Sequence, residues 1–296
     1  MPPHQSKSTI SWKKSPEVHF KVTDSTNEQA KRWLKAYTPA EGTLIRADHQ
    51  TGGKGQRGRN WHDLPGGSLL VSIILYPDFI LPEKHFMLNV ACSVAVMDMI
   101  EKVLPAEHHH EFALKWPNDI YRNSRKLGGI LNEASIQEGR FSWCVCGLGL
   151  NVLSGSDDSY VNLQHSLNGH QSVSANEKAE GNFDKNAGLT EEKKLPAFLW
   201  EGDESNDAIT VARLSKMFRE CFFKRYEELR SGFYDGMLLR YEEYLKGFKS
   251  SFWVFDGEKS LGKGKVLGVK KNGELEVETD NGIEVLKWGQ HQIMFN

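Results

Sequence analysis

Residues 42–76 constrain the fold of this chain most tightly. Two β-rich runs, GTLIRADHQ ending at Gln50 and GSLLVSIILY from Gly67 to Tyr76, bracket a segment dense in glycine and cations. Short apolar runs rich in β-branched residues and bounded by glycine read as buried strands, so the segment between them is a loop leaving a sheet edge. That loop carries Gly52, Gly53, Gly55 and Gly58 together with Lys54, Arg57 and Arg59. Glycine lets backbone N–H groups approach an anion, and the cations neutralise phosphate or carboxylate oxygens. A plain basic loop satisfies the same residues. It is not a Walker A loop, because no Gly-Lys-Ser/Thr opens a helix, and the dinucleotide fingerprint is missing too.

Upstream, Ser25 and Glu28 stand in capping-box spacing, and Ala30, Trp33, Leu34 and Tyr37 recur at helical intervals, which predicts a helix beginning at Asp24-Ser25-Thr26-Asn27. The apolar stretch 85–104 predicts a buried helix packed on the sheet. Three further strands are expected, EFALKWP around Lys115, KLGGILNEA around Ile130, and the run holding Val145 and Gly147. His108, His109 and His110 fall in the link before them and read as a solvated loop, since consecutive loop residues rarely converge on one metal. From 154 to 207 the composition turns polar, the profile of a flexible insertion, with LPAFLW near its end as an anchoring patch. Helical spacing returns over 208–246, divided at Gly232 and Gly236. After 249 the alternation of LEVET and the turns Asn272-Gly273 and Asn281-Gly282 predict a small antiparallel unit of about five strands. Residues 1–17 read as a frayed tail.

The formal charge of −2 argues against a general polyanion binder, because such proteins draw affinity from a basic excess. The four cysteines fit neither a disulfide framework nor a zinc ribbon, so a reducing compartment is expected and Cys144 and Cys146 read as buried structural thiols. No apolar run of about 18–20 residues appears, nor the core of a secretory signal, so the expectation is a soluble cytoplasmic protein without membrane association, organellar targeting by the tail being left open.

A second segment couples Lys115-Trp116-Pro117-Asn118-Asp119 to Arg125-Lys126-Leu127-Gly128-Gly129. Pro117 keeps Trp116 extended and Asn118-Asp119 favours a turn, so the unit reads as strand, turn, strand with Lys115 and Lys126 flanking the turn. Gly128-Gly129 inside a strand marks a close approach to the backbone. Asp119 is a candidate magnesium carboxylate beside phosphates. A simple hairpin accounts for the local pattern equally well.

Taken in order, Asp24-Ser25-Thr26-Asn27, the QTGGKG run at 50–55, KWPND at 115–119, RKLGGILNE at 125–133 and GLGLNV at 147–152 resemble the biotin–protein ligase family over residues 18–152, and more weakly beyond. The resemblance implies an α+β fold: a mixed-sheet, class II synthetase-like catalytic domain over 18–248, then a small C-terminal SH3-like β-barrel over 249–296. It implies ATP-dependent conversion of biotin to biotinyl-5'-AMP, then transfer to a lysine of a biotin carboxyl carrier domain, with Mg2+ and without nucleic acid. On this mapping Ser25, Thr26, Asn27 and Gln50 would bind the biotin ring, and Lys126 the biotin carboxylate and α-phosphate. Lys54 with Gly53 and Gly55 would close over the adenylate, Trp61 would help fold the loop shut, and Arg57 would join the catalytic cations. Gly128, Gly147 and Gly149 would leave room for the ligand, while Asn118 and Asn151 would position nucleotide or metal. Many family members carry arginine where Gln56 stands, so Arg57 or Arg59 is expected to supply the missing charge. The alternatives are a lipoate or octanoate ligase on a similar fold, whose His-Asp motif is absent here, and a biotin-responsive binding protein without catalysis. Only a short tail precedes Asp24, so a DNA-binding domain is not expected.

Overall fold

The apolar runs order into strands and helices as their periods demand. A computed structural model describes residues 12–153, 197–200, 210–245, 252–256, 259–288 and 290–294. Its main sheet contains β1 (Glu17–Thr23), β2 (Leu44–Gln50), β3 (Ser68–Leu75), β4 (Phe112–Lys115), β5 (Asp119–Arg122), β6 (Arg125–Gln137) and β7 (Arg140–Asn151). Their spatial order is β1-β2-β3-β7-β6-β5-β4. Only the β1–β2 pair is parallel, and every other neighbouring pair is antiparallel.

Helices cover both faces of this sheet, which is why the central β3 is buried at every position and reads as a continuous apolar run rather than an alternating one. On one face lie α2 (Phe86–Val103), α3 (Val211–Arg230) and α4 (Tyr234–Tyr244). Nearly the whole circumference of α2 is buried, from Phe86 through Ile100, so it is a core helix with no solvent stripe. The other face is covered by α1 (Thr26–Ala36), whose Ala30 packs with Ile45, Ile74 and Val145 under Trp33 and Leu34.

A second sheet comprises β8 (Phe252–Asp256), β9 (Lys259–Val269), β10 (Leu275–Thr279), β11 (Gly282–Leu286) and β12 (His291–Met294), in the order β11-β10-β9-β8-β12. All its pairs are antiparallel, and the two Asn-Gly turns fall where the spacing predicts them. Pairing between the edge strands β11 and β12 is not seen among the described residues. The Asn272-Gly273 tip reaches the main core: Gly273 takes a positive φ of 90° and packs on Phe86, and Trp116 Nε1 donates to Gly273 O at 3.0 Å.

Several expectations need correction. β1 was not expected, since its one-sided alternation is short and borders solvent at the sheet edge. β5 divides the supposed single turn, so Asp119 stands on a strand paired with Lys115 and Gly129. Part of the tail is docked rather than frayed: Trp12 stacks on Phe223 at 5.1 Å, and Arg219 donates to the carbonyls of Trp12 and Ser15. The break between α3 and α4 falls at Gly232, and Gly236 lies inside α4. The histidine triplet forms a short 3-10 turn in which His108 pairs with Glu111. The insertion at 154–207 lies outside the described residues apart from 197–200. There Ala197, Phe198, Leu199 and Trp200 are buried, and the backbone hydrogen-bonds to Lys126, Asn151 and Val152. All four cysteines are free and buried, and burial pushes the Cys144 and Cys146 thiols up in pKa. No helix among the described residues is long and apolar enough to cross a membrane.

Candidate functional site

Alternate residues of a strand share a face, so Gly147 and Gly149 look out on the same side as Val145, the side covered by α1. A cavity of about 180 Å³ opens there, between the N-terminus of α1, the loop after β2, the strands β5 to β7 and one end of the second sheet.

Its floor is made by the start of α1. The first backbone N–H groups of a helix have no intrahelical acceptor. Ser25 occupies the cap position, but its side chain makes no capping hydrogen bond, so the expected capping box is not formed. Gln50 Oε1 takes the Thr26 N–H at 2.7 Å, and Asp24 Oδ1 takes the Ser25 N–H at 2.8 Å. The bidentate guanidinium of Arg32 holds the Asp24 carboxyl well below the usual carboxylate range. Asn27 is almost fully buried; its Nδ2 donates to Glu133 Oε2 at 2.8 Å and to Leu131 O at 3.2 Å, while its Oδ1 accepts from Ser72 Oγ at 2.5 Å. These partners orient both amides. Asn27 has committed its NH2 and keeps a spare oxygen lone pair; Gln50 has committed its oxygen and keeps its NH2. The floor therefore offers an acceptor and a donor side by side.

The loop above is an ordered hairpin. Lys54 and Asn60 bridge, Gly55 N donates to Arg59 O at 2.7 Å, and Trp61 N donates to Gly53 O at 2.9 Å. Its tip, Gln56–Gly58, turns through a left-handed Arg57 at φ 58°. Lys54 pairs with Glu28, whose carboxyl is held down in pKa first by Lys31 and then by Lys54. Lys31 also pairs with Glu133 at 2.7 Å, so a line of charges joins the lid to the Asn27 amide. The Trp61 indole lies on the Gly149 backbone, where an added Cβ would come within 2.6 Å of the ring.

The third wall is the β5–β6 pair. Lys126 Nζ donates to Asp119 Oδ1 at 2.6 Å across a β-bulge, the kind of irregularity that re-aims a side chain. Asn118 is clipped to β6 through Ile130 O at 2.8 Å, and Lys115 faces the same space.

Most predicted site residues meet at this cavity. Ser25, Thr26, Asn27 and Gln50 lie on the floor; Lys54, Gly55, Gln56, Arg57, Arg59 and Trp61 in the lid; Asn118, Asp119, Lys126, Gly147 and Gly149 on the sheet. Gly53, Gly128 and Asn151 do not line it. A Cβ at Gly53 would meet Trp61 O at 2.5 Å, so that glycine serves the fold of the hairpin. At Gly128 it would meet Gly149 O and Leu150 at 2.7 Å, so that residue serves strand packing. Asn151 is buried and its Nδ2 donates to Ala197 O at 3.3 Å. The room left by Gly147 and Gly149 is taken by the Asn27 amide and the Trp61 indole. Sequence reasoning passed over Ser72, Glu133, His291 and Ile293. A serine inside the apolar run of β3 and the alternation of Gly129, Leu131 and Glu133 along β6 were readable signals. His291 and Ile293 reach the cavity from the second sheet, whose docking no local pattern announces.

Known proteins share sequence and fold with this chain. Residues 19–151 match the model of the Biotin/lipoate A/B protein ligase family. The chain is 29% identical over 267 residues to the bifunctional ligase/repressor BirA of Bacillus spizizenii, covering 90% of this chain and 70% of that protein. It is 29% identical over 136 residues to the biotin–[acetyl-CoA-carboxylase] ligase of Mycobacterium tuberculosis, covering 46% and 49% of the two chains. Among solved structures, the biotin protein ligase of Aquifex aeolicus in complex with biotin and ATP superposes with a TM-score of 0.64 at 20% identity, over 95% of this chain and 99% of that one. The ordered motifs and the matched span converge on the same residues: over 19–151 this chain resembles the Biotin/lipoate A/B protein ligase family, and its α+β fold is the one seen in solved biotin protein ligases.

Proposed function

We propose that the chain activates biotin with ATP to biotinyl-5'-AMP and transfers the biotinyl group to a specific lysine of a biotin carboxyl carrier domain. One observation carries this reading: a donor and acceptor pair, the half-buried Gln50 and the buried Asn27, shares a cavity with Lys126 and with the cationic lid of Lys54, Arg57 and Arg59. A ureido ring presents one carbonyl acceptor and two N–H donors, which the floor complements. Trp61 Nε1 is buried without an acceptor among the described residues, a donor suited to a ligand oxygen. The relatives named as ligases of biotin to acetyl-CoA carboxylase point to a biotin-dependent carboxylase as partner. The cytoplasm, and a division into a catalytic unit at 18–248 and a second unit at 249–296, go with this reading.

In the first step a biotin carboxylate oxygen attacks the α-phosphorus, and pyrophosphate departs with the electron pair of the broken P–O bond. Two anions must be brought together, so Lys126, Lys54 and the lid arginines offset their repulsion and the charge on the equatorial oxygens. The 180 Å³ cavity is below the roughly 300–1,000 Å³ usual for small-ligand sites, so the lid moves outward on binding and folds back to keep water from the anhydride. In the second step a neutral carrier amine attacks the biotinyl carbonyl and AMP leaves. Asp119 is the only acidic side chain among the described residues lining the cavity, and magnesium commonly takes one or two carboxylates beside substrate phosphates. Asp119 would therefore hold the ion, which supplies further charge neutralisation when bound. The test is biotin-dependent pyrophosphate release from ATP, followed by transfer of labelled biotin to a carrier domain, with lipoate run in parallel. Release and transfer with biotin alone are expected; activity with lipoate alone would overturn the assignment.

A further inference from the structure

Among the described residues the lid meets the second sheet at one polar contact: Trp288 Nε1 donates to Gln56 Oε1 at 3.3 Å. An indole nitrogen is donor-only, so its partner must present an acceptor. Glutamine has one; an arginine at this place would carry donors alone and offer nothing to Trp288. The Trp288 end of the contact is fixed. Its ring stacks on His85 with centroids 5.6 Å apart and planes 17° apart, and meets Phe86 edge-on at 5.5 Å. Phe86 begins α2, a helix buried nearly all round, and Gly273 packs against it from the Asn272-Gly273 tip. Nearby, β12 contributes Ile293 and His291 to the wall of the same cavity. The Lys287 N–H donates to His291 Nδ1 at 3.0 Å, which fixes the proton of the neutral ring on Nε2.

We infer that Gln56 and Trp288 form a latch by which the second sheet holds the lid down, and that both act as positioning residues for retention of the adenylate rather than by touching it. The inference rests on the proposed ligase reading for its ligand, but not for the contact itself. Among the described residues the lid then has two stays, Lys54 with Glu28 on α1 and Gln56 with Trp288 on the second sheet. Gln56 supplies an anchorage that a basic residue in its place would not.

The test uses the full chain with Trp288→Phe, which keeps the aromatic stack and removes the N–H, with Gln56→Met, which keeps length and removes the acceptor, and with the double variant. After adenylate is formed without acceptor protein, the lifetime of the enzyme-held biotinyl-adenylate is measured. Each single substitution is expected to shorten it about two- to tenfold, the effect of one modest hydrogen bond, and the double to shorten it no further than the larger single. A purely structural role for Trp288 would give effects that multiply. In parallel, hydrogen exchange at the amides of 54–60 in the ligand-free chain should quicken in both single variants. Wild-type protein that holds no adenylate would sink the ligase reading while exchange still judged the latch. Unchanged exchange in both variants, or multiplying lifetimes, would overturn the latch.

Discussion

The floor and the lid of the cavity are built on opposite terms. Thr26, Asn27 and Ser72 on or beneath the floor are each below 5% exposed and bonded to protein partners, whereas Arg57, Gly58 and Arg59 in the lid are exposed. Removing a partner from a buried network leaves a polar atom without water or protein to bond, at a cost of about 1–3 kcal/mol, whereas an exposed loop substitution usually stays within about 0.5 kcal/mol. The difference separates two duties. Recognition sits where the fold enforces geometry, and retention sits where little stability is at stake.

Lys126 lies between the two regions, and its loss should have the largest effect. Lys126→Ala is expected to lower kcat for biotin-dependent adenylation about 100- to 1,000-fold, the range for one preorganised group facing developing charge, with biotin affinity changed far less. A parallel loss of affinity alone would assign Lys126 to binding. Next comes the floor: Gly147→Ala places a methyl group on the Asn27 amide. Overpacking of this kind costs about 1–3 kcal/mol, so Tm should fall by several degrees and biotin affinity should drop about tenfold or more. Intact affinity would break the claim that the Asn27 geometry reads the ring.

On the lid the pattern should reverse. Arg57→Ala and Arg59→Ala should leave Tm unchanged, and at least one should raise adenylate release about three- to tenfold. If neither alters formation or release, the arginines do not replace the charge absent at Gln56. The smallest effect concerns the Lys54–Glu28 stay. The folded pKa of Glu28 is depressed, first by Lys31 and then by Lys54, so its contribution is present above its ordinary value near 4.5 and is lost as pH falls through the lower folded value. For Lys31, burial alone pulls the pKa down, but Glu133 and Glu28 together raise it, so that contribution holds below 10.5 and fades as pH rises through the higher folded value. Lid exchange, taken relative to the intrinsic rate of free amides at each pH, should therefore be flat between these limits and quicken on acidification below pH 4.5. Glu28→Gln should raise its neutral-pH level slightly and remove the acid step.

How much of this was legible in the sequence follows from the range of the interactions. Asp24-Ser25-Thr26-Asn27 carries turn and cap chemistry within a few residues, so the helix start was readable, whereas Lys115-Trp116-Pro117-Asn118-Asp119 was readable only as a strand meeting a turn, because β5 begins at Asp119 itself. The partners chosen across the fold were not. Ser25 has the right spacing for a capping box, yet its side chain caps nothing, and the Thr26 N–H beside it is taken by Gln50, 24 residues from Thr26. Glycines at 128, 147 and 149 read as room for a ligand, whereas tertiary packing spends that room on Leu150, Asn27 and Trp61. β1 and β5 were missed because short, half-exposed strands carry too few periods to stand out. His291 and Trp288 belong to the site only because the second sheet docks on Phe86 and Trp116.

The central claim is that floor and lid together make and hold a mixed anhydride of biotin with AMP. The most direct test incubates purified protein with biotin, ATP and Mg2+ in the absence of carrier, separates it from free ligand, denatures it and measures biotinyl-5'-AMP in the supernatant by mass spectrometry. The account predicts close to one adenylate per active chain, and almost none when lipoate replaces biotin. Protein that comes through separation with no biotinyl-5'-AMP, or with as much lipoyl-AMP, would contradict it.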